Sequence, residues 1–369
     1  MIRLLHTADV HLGMAFPALG ERGRDHREQL KRTFARLVEL ALAERVHVLM
    51  VAGDLFHSHR QSEATLGFVR EQFLRLHDGG VRVALLAGNH DRLGEGSVWA
   101  RARLEEACDN VTLFGAAPQV KVYPDLELAV LGQSVGADGP QSLRSWPRER
   151  PARFAVGLAH GGAYREGVVD AGTIHPADVR ALGLDYLALG DWHSAQQVTG
   201  PPTPAWYAGA PEFLAMDQEA GAALLVTIAA PGQAEVSAVK VGRRRYRRVE
   251  LDVTGTDPDR VRARVAAETE ADVVLDVVLT GTVTPEQTLD ARELEESLAE
   301  GCFRARVRNQ ARLWLDQATL DAFPERTLVG RYIRLLRAQA QAAPQEEQEI
   351  IEEALQTGVG QLLAEAGGD

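Results

Sequence analysis

The sequence predicts an α/β fold, and three observations carry that reading. Apolar, β-branched-rich runs alternate with stretches of helical periodicity, and several of those runs end abruptly in glycine beside Asp, Asn or His. After residue 243 a second β-α-β-α-β order leads into a helical end. At 369 residues there is room for more than one core, and the expected boundaries are 1–242, 243–318 and a helical segment over 319–369.

Ile2 to Leu5 forms a first strand, and the chain turns polar too soon after it for a signal peptide. This strand opens into Asp9-Val10-His11. Two residues apart on an extended segment, Asp9 and His11 share one side and can bind a single ion. Leu30, Phe34, Leu37, Val38, Ala41 and Leu42 recur at helical spacing over 27–44 and lead into an apolar run that delivers Gly53-Asp54, with His57 three residues on. A helix over 63–76, stopped by Gly79-Gly80, precedes a strand over 81–86 that ends in Gly88-Asn89-His90-Asp91.

A third helix is expected over 98–107, then strands over 111–114, 119–123 and 126–130, and a surface loop over 144–153 containing Pro147 and Pro151. The strand over 154–159 delivers His160-Gly161, and the strand over 186–189, after a short helix, delivers Gly190-Asp191-Trp192-His193. Residues 206–212 read as a loop, and strands over 223–228 and 235–241 close the first domain. Beyond it come strand 249–253, helix 258–268, strand 273–279, helix 290–300 and strand 303–315. Helices over 327–340 and 346–365 follow, the second with Ile351, Leu355, Val359 and Leu362 on one face. That pair is too short to bury its own apolar face and is expected to pack on something else.

A formal charge of −12 argues against a protein that coats nucleic acid through general electrostatics, but leaves nucleic acid open as a substrate held by a metal site and local basic patches. No stretch reaches the roughly 18 apolar residues of a membrane span. Cys108 and Cys302 lie far apart without metal spacing, which fits a reducing cytoplasm.

Five strand ends thus deliver oxygen or imidazole ligands: Asp9 and His11, Asp54 and His57, Asn89 and His90, His160, and Asp191 and His193. Such a mixed set without thiolate suits Mn, Fe, Zn or Co. One ion takes about four to six ligands, so about seven strong candidates among these nine residues point to two neighbouring ions. A lone Asp-x-His is noise, but five motifs at successive strand ends are hard to explain by packing.

The ordered series DVH, GDLFH, GNHD, an isolated His-Gly and GDWH resembles the calcineurin-like metallophosphoesterases. Within them HTADVHLG, VAGDLFHS and LAGNHD are most similar to the SbcD-type DNA repair exonucleases, over roughly the first 215 residues. The resemblance implies a four-layer α-β-β-α sandwich, then a small α/β cap and a helical tail. It implies that Asp9, His11 and His193 hold one ion, that Asp54 bridges to a second, and that Asn89, His160 and Asp191 complete the second. His57 matches the histidine that helps place the phosphodiester, and His90 the one that stabilises the transition state or protonates the leaving oxygen.

Physical logic agrees, since two ions polarise a phosphoryl oxygen and activate a water for in-line attack, with Asp91 able to orient the His90 imidazole. One departure stands out: Asp191 occupies the place of the first histidine in the family's Gly-His-x-His motif. Three carboxylates in place of two predict a harder ion preference, Mn over Zn, with Mg and Fe as further options.

The bland readings divide the remaining residues. His26, His47, His59, His77 and His175 lack a ligand setting, and His6 faces away from Asp9 by strand alternation. Trp192 is expected to pack beside the site more than to stack on a base. Arg243, Arg244, Arg245, Arg247 and Arg248, with the alternating Arg304, Arg306 and Arg308, either face a DNA backbone or pair with nearby acids such as Glu293, Glu295 and Glu296.

The expectation from these readings is a Mn-dependent DNA exonuclease, with single-strand endonuclease action as a second mode. The resemblance implies action in DNA repair as a homodimer joined through the phosphoesterase domain, with an SMC-like, Rad50-type ATPase partner. The C-terminal helices are the expected docking place for that partner, and a cytoplasmic setting is expected. Two rivals stand beside it: a phosphodiesterase acting on nucleotides or other small phosphodiesters, and a metal-bound DNA-binding scaffold with little catalysis.

Overall fold

The computed structural model describes residues 1–140, 142–162, 164, 172–215, 218 and 220–366, the last three by backbone only. Two compact units divide the chain, Met1–Arg245 and Tyr246–Asp369.

The first unit runs β1 (Ile2–Thr7), α1 (Arg22–Ala43), β2 (Val48–Ala52), α2 (Glu63–Asp78), β3 (Arg82–Leu86), the short α3 (Val98–Ala102) and α4 (Leu104–Ala107), and β4 (Val111–Leu113). It continues with β5 (Gln119–Tyr123), β6 (Leu128–Gly132), β7 (Phe154–His160), α5 (Pro176–Ala181), β8 (Tyr186–Gly190), β9 (Gln196–Thr199), β10 (Ala205–Tyr207), β11 (Ala222–Ala230) and β12 (Gln233–Lys240). Two six-stranded sheets result, in the orders β12-β11-β1-β2-β3-β4 and β5-β6-β7-β8-β10-β9. In the first, β1 to β4 are mutually parallel; in the second, β6, β7, β8 and β10 are.

The central strands read as continuous apolar runs because both their faces are covered. Leu4, Met50, Ala84 and Leu86 of the first sheet meet Val130, Val156, Leu158 and Tyr186 of the second in one buried core. On the outer side of the first sheet, α1 buries Leu30, Phe34, Leu37, Val38 and Ala41. Behind the second sheet, Trp146, Val179 and Leu182 cover Leu187 and Leu189. The layer order is therefore helix, sheet, sheet, helix, the four-layer sandwich that the resemblance implies.

In the second unit, β13 (Arg245–Asp252), α6 (Pro258–Ala266), β14 (Val273–Thr280), β15 (Thr282–Val283), α7 (Ala291–Leu298), β16 (Arg304–Asn309) and β17 (Arg312–Leu313) precede α8 (Gln317–Ala322), α9 (Leu328–Ala342) and α10 (Gln345–Ala366). A three-stranded sheet, β13-β14-β16, packs Val261, Val265, Leu294 and Leu298 against Leu275, Val277 and Leu279. The helical pair finds its cover within the same unit: Leu355, Val359 and Ile333 cluster with Leu315 and Leu320. The buried Gln356 amide both accepts from Leu315 N at 2.8 Å and donates to Leu315 O at 2.9 Å, satisfying a backbone that no strand reaches.

Three expectations are corrected. The helix over 98–107 is broken in two because Arg103 adopts a left-handed φ of 46°. Residues 205–207, read as the edge of a loop, pair as β10 between β8 and β9. The strand over 303–315 is interrupted after Asn309, whose side chain donates to Leu289 O and accepts from Ala311 N, and β17 then pairs with β15 instead of β14.

Candidate metal centre

The loops leaving β1 and β2 run side by side, held by Asp9 N to Gly53 O at 3.1 Å, His11 N to Asp54 O at 3.0 Å and His57 N to Leu12 O at 3.0 Å. Those leaving β7 and β8 are joined by Gly161 N to Gly190 O at 3.2 Å. The two pairs meet where the Asp191 N–H donates to both Asp9 carboxylate oxygens, at 3.1 and 3.2 Å, and where His160 Nδ1 meets Ala52 O at 2.8 Å.

Backbone strain is concentrated here. Asp9 (φ 52°), His11 (50°), Asp54 (52°) and Asp191 (102°) all sit in the left-handed region, which costs non-glycine residues on the order of 1–3 kcal/mol each and persists only where the surrounding structure over-determines it. Glycine supplies the approach distances. A Cβ on Gly53, itself at φ 95°, would lie 2.2 Å from His160 Nδ1, and one on Gly88 would lie 2.2 Å from Asp54 Oδ1.

Seven expected ligands converge. Asp9, His11 and His193 present ligand atoms within 4.8 Å of one another, as do Asp9, Asp54 and His160. Asp54 Oδ2 lies 3.6 Å from His11 Nε2 and 3.6 Å from His160 Nε2. His160 Nε2 is also 2.8 Å from Asn89 Oδ1 and 3.8 Å from Asp191 Oδ1, while His11 Nε2 is 3.3 Å from His193 Nε2. Asp191 is the peripheral member, its side chain 35% exposed.

The electrostatics fit divalent cations. Burial pushes the Asp9 carboxyl up to about 8, opposed by His160 and reinforced by the Asp54 and Asp191 carboxylates, so this buried acid cluster lacks compensating positive charge. Burial, and then the neighbouring histidines, hold His11 well below its ordinary value; burial likewise lowers His57 and His193. Neutral imidazoles keep the lone pairs that coordination needs. Burial also works against a proton on His160, but Asp54, Asp9 and Asp191 outweigh it and raise that group.

His57 and His90 stand at the rim, rings stacked at 4.9 Å, with His11 edge-on to both. Asp91 is corrected: it does not touch the His90 ring. Its fully buried carboxylate accepts from Phe56 N at 3.0 Å and Gly88 N at 2.7 Å, clasping two ligand loops together. Instead, His90 Nδ1 faces His57 O at 3.2 Å. Trp192, between the two proposed ligands Asp191 and His193, is 37% exposed. Gln218 joins the site without any sign in its local sequence; its amide lies 2.6 Å from His193 Nδ1.

Three of the histidines without a ligand setting bond elsewhere. His6 lies between Tyr186 Oη (2.8 Å) and Leu189 O (3.2 Å), His26 meets Phe213 O at 2.7 Å, and His47 Nδ1 accepts from Arg3 N at 3.0 Å. Backbone N–H groups of Arg243 and Arg244 bind Glu212. In the second unit Arg247 pairs with Glu268 and Glu270, Arg304 with Glu295, and Arg248 and Arg308 with the buried Asp276. Arg306 is exposed on β16.

Among the described residues no helix is long and apolar enough to cross a membrane. A family profile described as Calcineurin-like phosphoesterase matches residues 2–195. An uncharacterized metallophosphoesterase, YhaO, from Bacillus subtilis is 29% identical over 56% of this chain and 52% of its own length. The DNA double-strand break repair protein Mre11 of Methanopyrus kandleri is 30% identical over 60% of this chain and 52% of its own. The SbcD component of nuclease SbcCD from Rhodobacter capsulatus is 28% identical over 57% and 62% respectively. The chain thus spans about half the length of the first curated relatives it matches. With the profile covering more than half of the chain and its motifs converging on one cluster of metal-binding side chains, the protein belongs to the calcineurin-like phosphoesterase family.

Proposed function

We propose that this chain hydrolyses DNA phosphodiester bonds with two divalent ions, Mn foremost, as an exonuclease in DNA repair with a single-strand endonuclease mode. The observation that carries the reading is Asp54 Oδ2, equidistant at 3.6 Å from His11 Nε2 and His160 Nε2, so that one carboxylate oxygen faces two imidazole sets. Asp9, His11 and His193 would hold one ion, Asn89, His160 and Asp191 the other, with Asp54 shared. When bound, the ion pair supplies Lewis-acid polarisation of a phosphoryl oxygen and activates the attacking water.

The chain's own residues do the rest. His90 Nδ1–H donates to His57 O at 3.2 Å, which leaves Nε2 as the ring atom turned to the leaving oxygen. A proton carried there by the charged ring passes to that oxygen as the P–O bond breaks. Asp91 keeps the loop bearing Asn89 and His90 against the loop bearing Asp54.

The names of the Methanopyrus and Rhodobacter relatives support DNA as the polymer and repair as the setting. We take an SMC-like ATPase as the partner and a cytoplasmic homodimer as the working form. The pairing of Arg248, Arg304 and Arg308 with acids favours a second reading, a phosphodiesterase on small phosphodiesters. The test is cleavage of end-labelled linear and closed circular DNA with Mn, Mg, Zn or chelator, by wild type and His90→Ala. Mn-dependent loss of end label, abolished in the variant, supports the nuclease. Turnover of a chromogenic phosphodiester that excess DNA fails to inhibit supports the second reading.

A further inference from the structure

An imidazole that coordinates through Nε2 keeps its proton on Nδ1 and needs an acceptor there. For His160 that acceptor is Ala52 O, 2.8 Å from Nδ1, whereas His193 Nδ1 meets the Gln218 amide nitrogen, a donor, at 2.6 Å. For His11 the atom facing Nδ1 is His57 Nδ1, at 3.3 Å. We propose that His57 is the positioning residue of His11, accepting the His11 Nδ1 proton and so fixing the tautomer that leaves Nε2 for the ion. The inference rests on the two-ion reading above and deepens it.

The direction of the hydrogen bond follows from valence. A neutral imidazole carries one N–H, and a ring whose Nε2 lone pair faces an ion and the Asp54 and His193 ligand atoms must carry it on Nδ1. His11 is therefore the donor and His57 Nδ1 the acceptor. That in turn puts the single proton of neutral His57 on Nε2, the atom directed away from His11, where it can donate to a phosphate oxygen. One hydrogen bond thus sets the proton positions of a ligand and of a substrate-facing donor. Stacking of His57 on the His90 ring at 4.9 Å, 25° from parallel, and the His57 carbonyl at His90 Nδ1 hold the acceptor ring in place.

Side-chain geometry provides a split. Asn places an oxygen where His carries Nδ1 and nothing at Nε2; Gln reaches the Nε2 position and leaves Nδ1 empty. The experiment measures Mn binding by calorimetry and by electron paramagnetic resonance on the metal-free full chain of wild type, His57→Asn and His57→Gln, with melting curves to show folding. The expected result is two ions on the wild type, one of them weakened about 10- to 100-fold in His57→Gln and retained in His57→Asn, while turnover falls in both. Two ions bound with equal affinity in all three proteins would overturn the inference and leave the two-ion reading standing. A third ion lost with His57 would also overturn it, because His11, His57 and His90 ligand atoms lie close enough to form a site of their own. No bound ion on the wild type would overturn both.

Discussion

Asp54 Oδ1 accepts the backbone N–H of His90 at 2.9 Å, while the other oxygen of the same carboxylate faces His11 and His160. The group expected to bridge the ions therefore also sets the height of the loop that carries His90. Asp54→Asn removes the charge between the two imidazole sets and leaves an oxygen for the loop. The expected outcome is a protein that folds, melts within a few degrees of wild type without metal, and loses more than about 100-fold in turnover together with at least one ion by elemental analysis. Retention of both ions would assign the bridge elsewhere.

Asp91→Ala isolates the second clasp. It strands the N–H groups of Phe56 and Gly88, each buried and costing about 1–3 kcal/mol when unpaired. A fall in melting temperature on the order of 10 °C is expected, with loss of ion affinity through the displaced Asn89 loop. An unchanged melting temperature would return Asp91 to a role at the reacting atoms.

Acid sensitivity should trace to His6. Burial lowers this ring to about 3, and its contacts with Tyr186 and Leu189 suit the neutral form. The unfolded chain therefore binds a proton below about 6.5 that the folded chain refuses, so stability is complete above that value and declines as pH falls toward 3. The integrated loss is roughly 5 kcal/mol at most. Urea midpoints of the metal-free protein between pH 7 and 4 should fall more steeply for wild type than for His6→Gln, whose amide keeps a donor and an acceptor without titrating.

Much of the centre is legible in the chain. The strands β1, β2, β3, β7 and β8 are apolar because they are buried on both faces, and their ends are visible as the glycine-acid-histidine breaks at Gly53, Gly88 and Gly190. What escapes depends on partners distant in sequence. Asp91 stands beside His90 in the chain, yet its bonds reach back to Phe56; Gln218 reaches His193 from a segment with no periodicity or motif.

Mn should act as a folding ligand. The raised Asp9 carboxyl marks a buried acid cluster that a cation relieves, so chelation should lower the melting temperature and added Mn should raise it with concentration. At 100 times its Kd, Mn contributes about 2.7 kcal/mol. A melting temperature indifferent to Mn would separate the cluster from ion binding.

Asp191 offers the sharpest test of ion preference. Its carboxylate is the third at the centre and the most exposed, with Oδ1 3.8 Å from His160 Nε2, and its backbone N–H braces Asp9 whatever side chain it bears. Histidine tolerates left-handed φ about as well as aspartate, so Asp191→His should fold and keep that brace. Trading an anionic oxygen for a neutral nitrogen raises the net charge of the ion pair by one and softens the site. The ratio of Zn-supported to Mn-supported turnover is expected to rise about tenfold, a change of about 1.4 kcal/mol in relative barrier. If stoichiometry, ion ratio and rate all stay as in wild type, the Asp191 carboxylate lies outside the coordination sphere, and the preference is set by Asp9 and Asp54 alone.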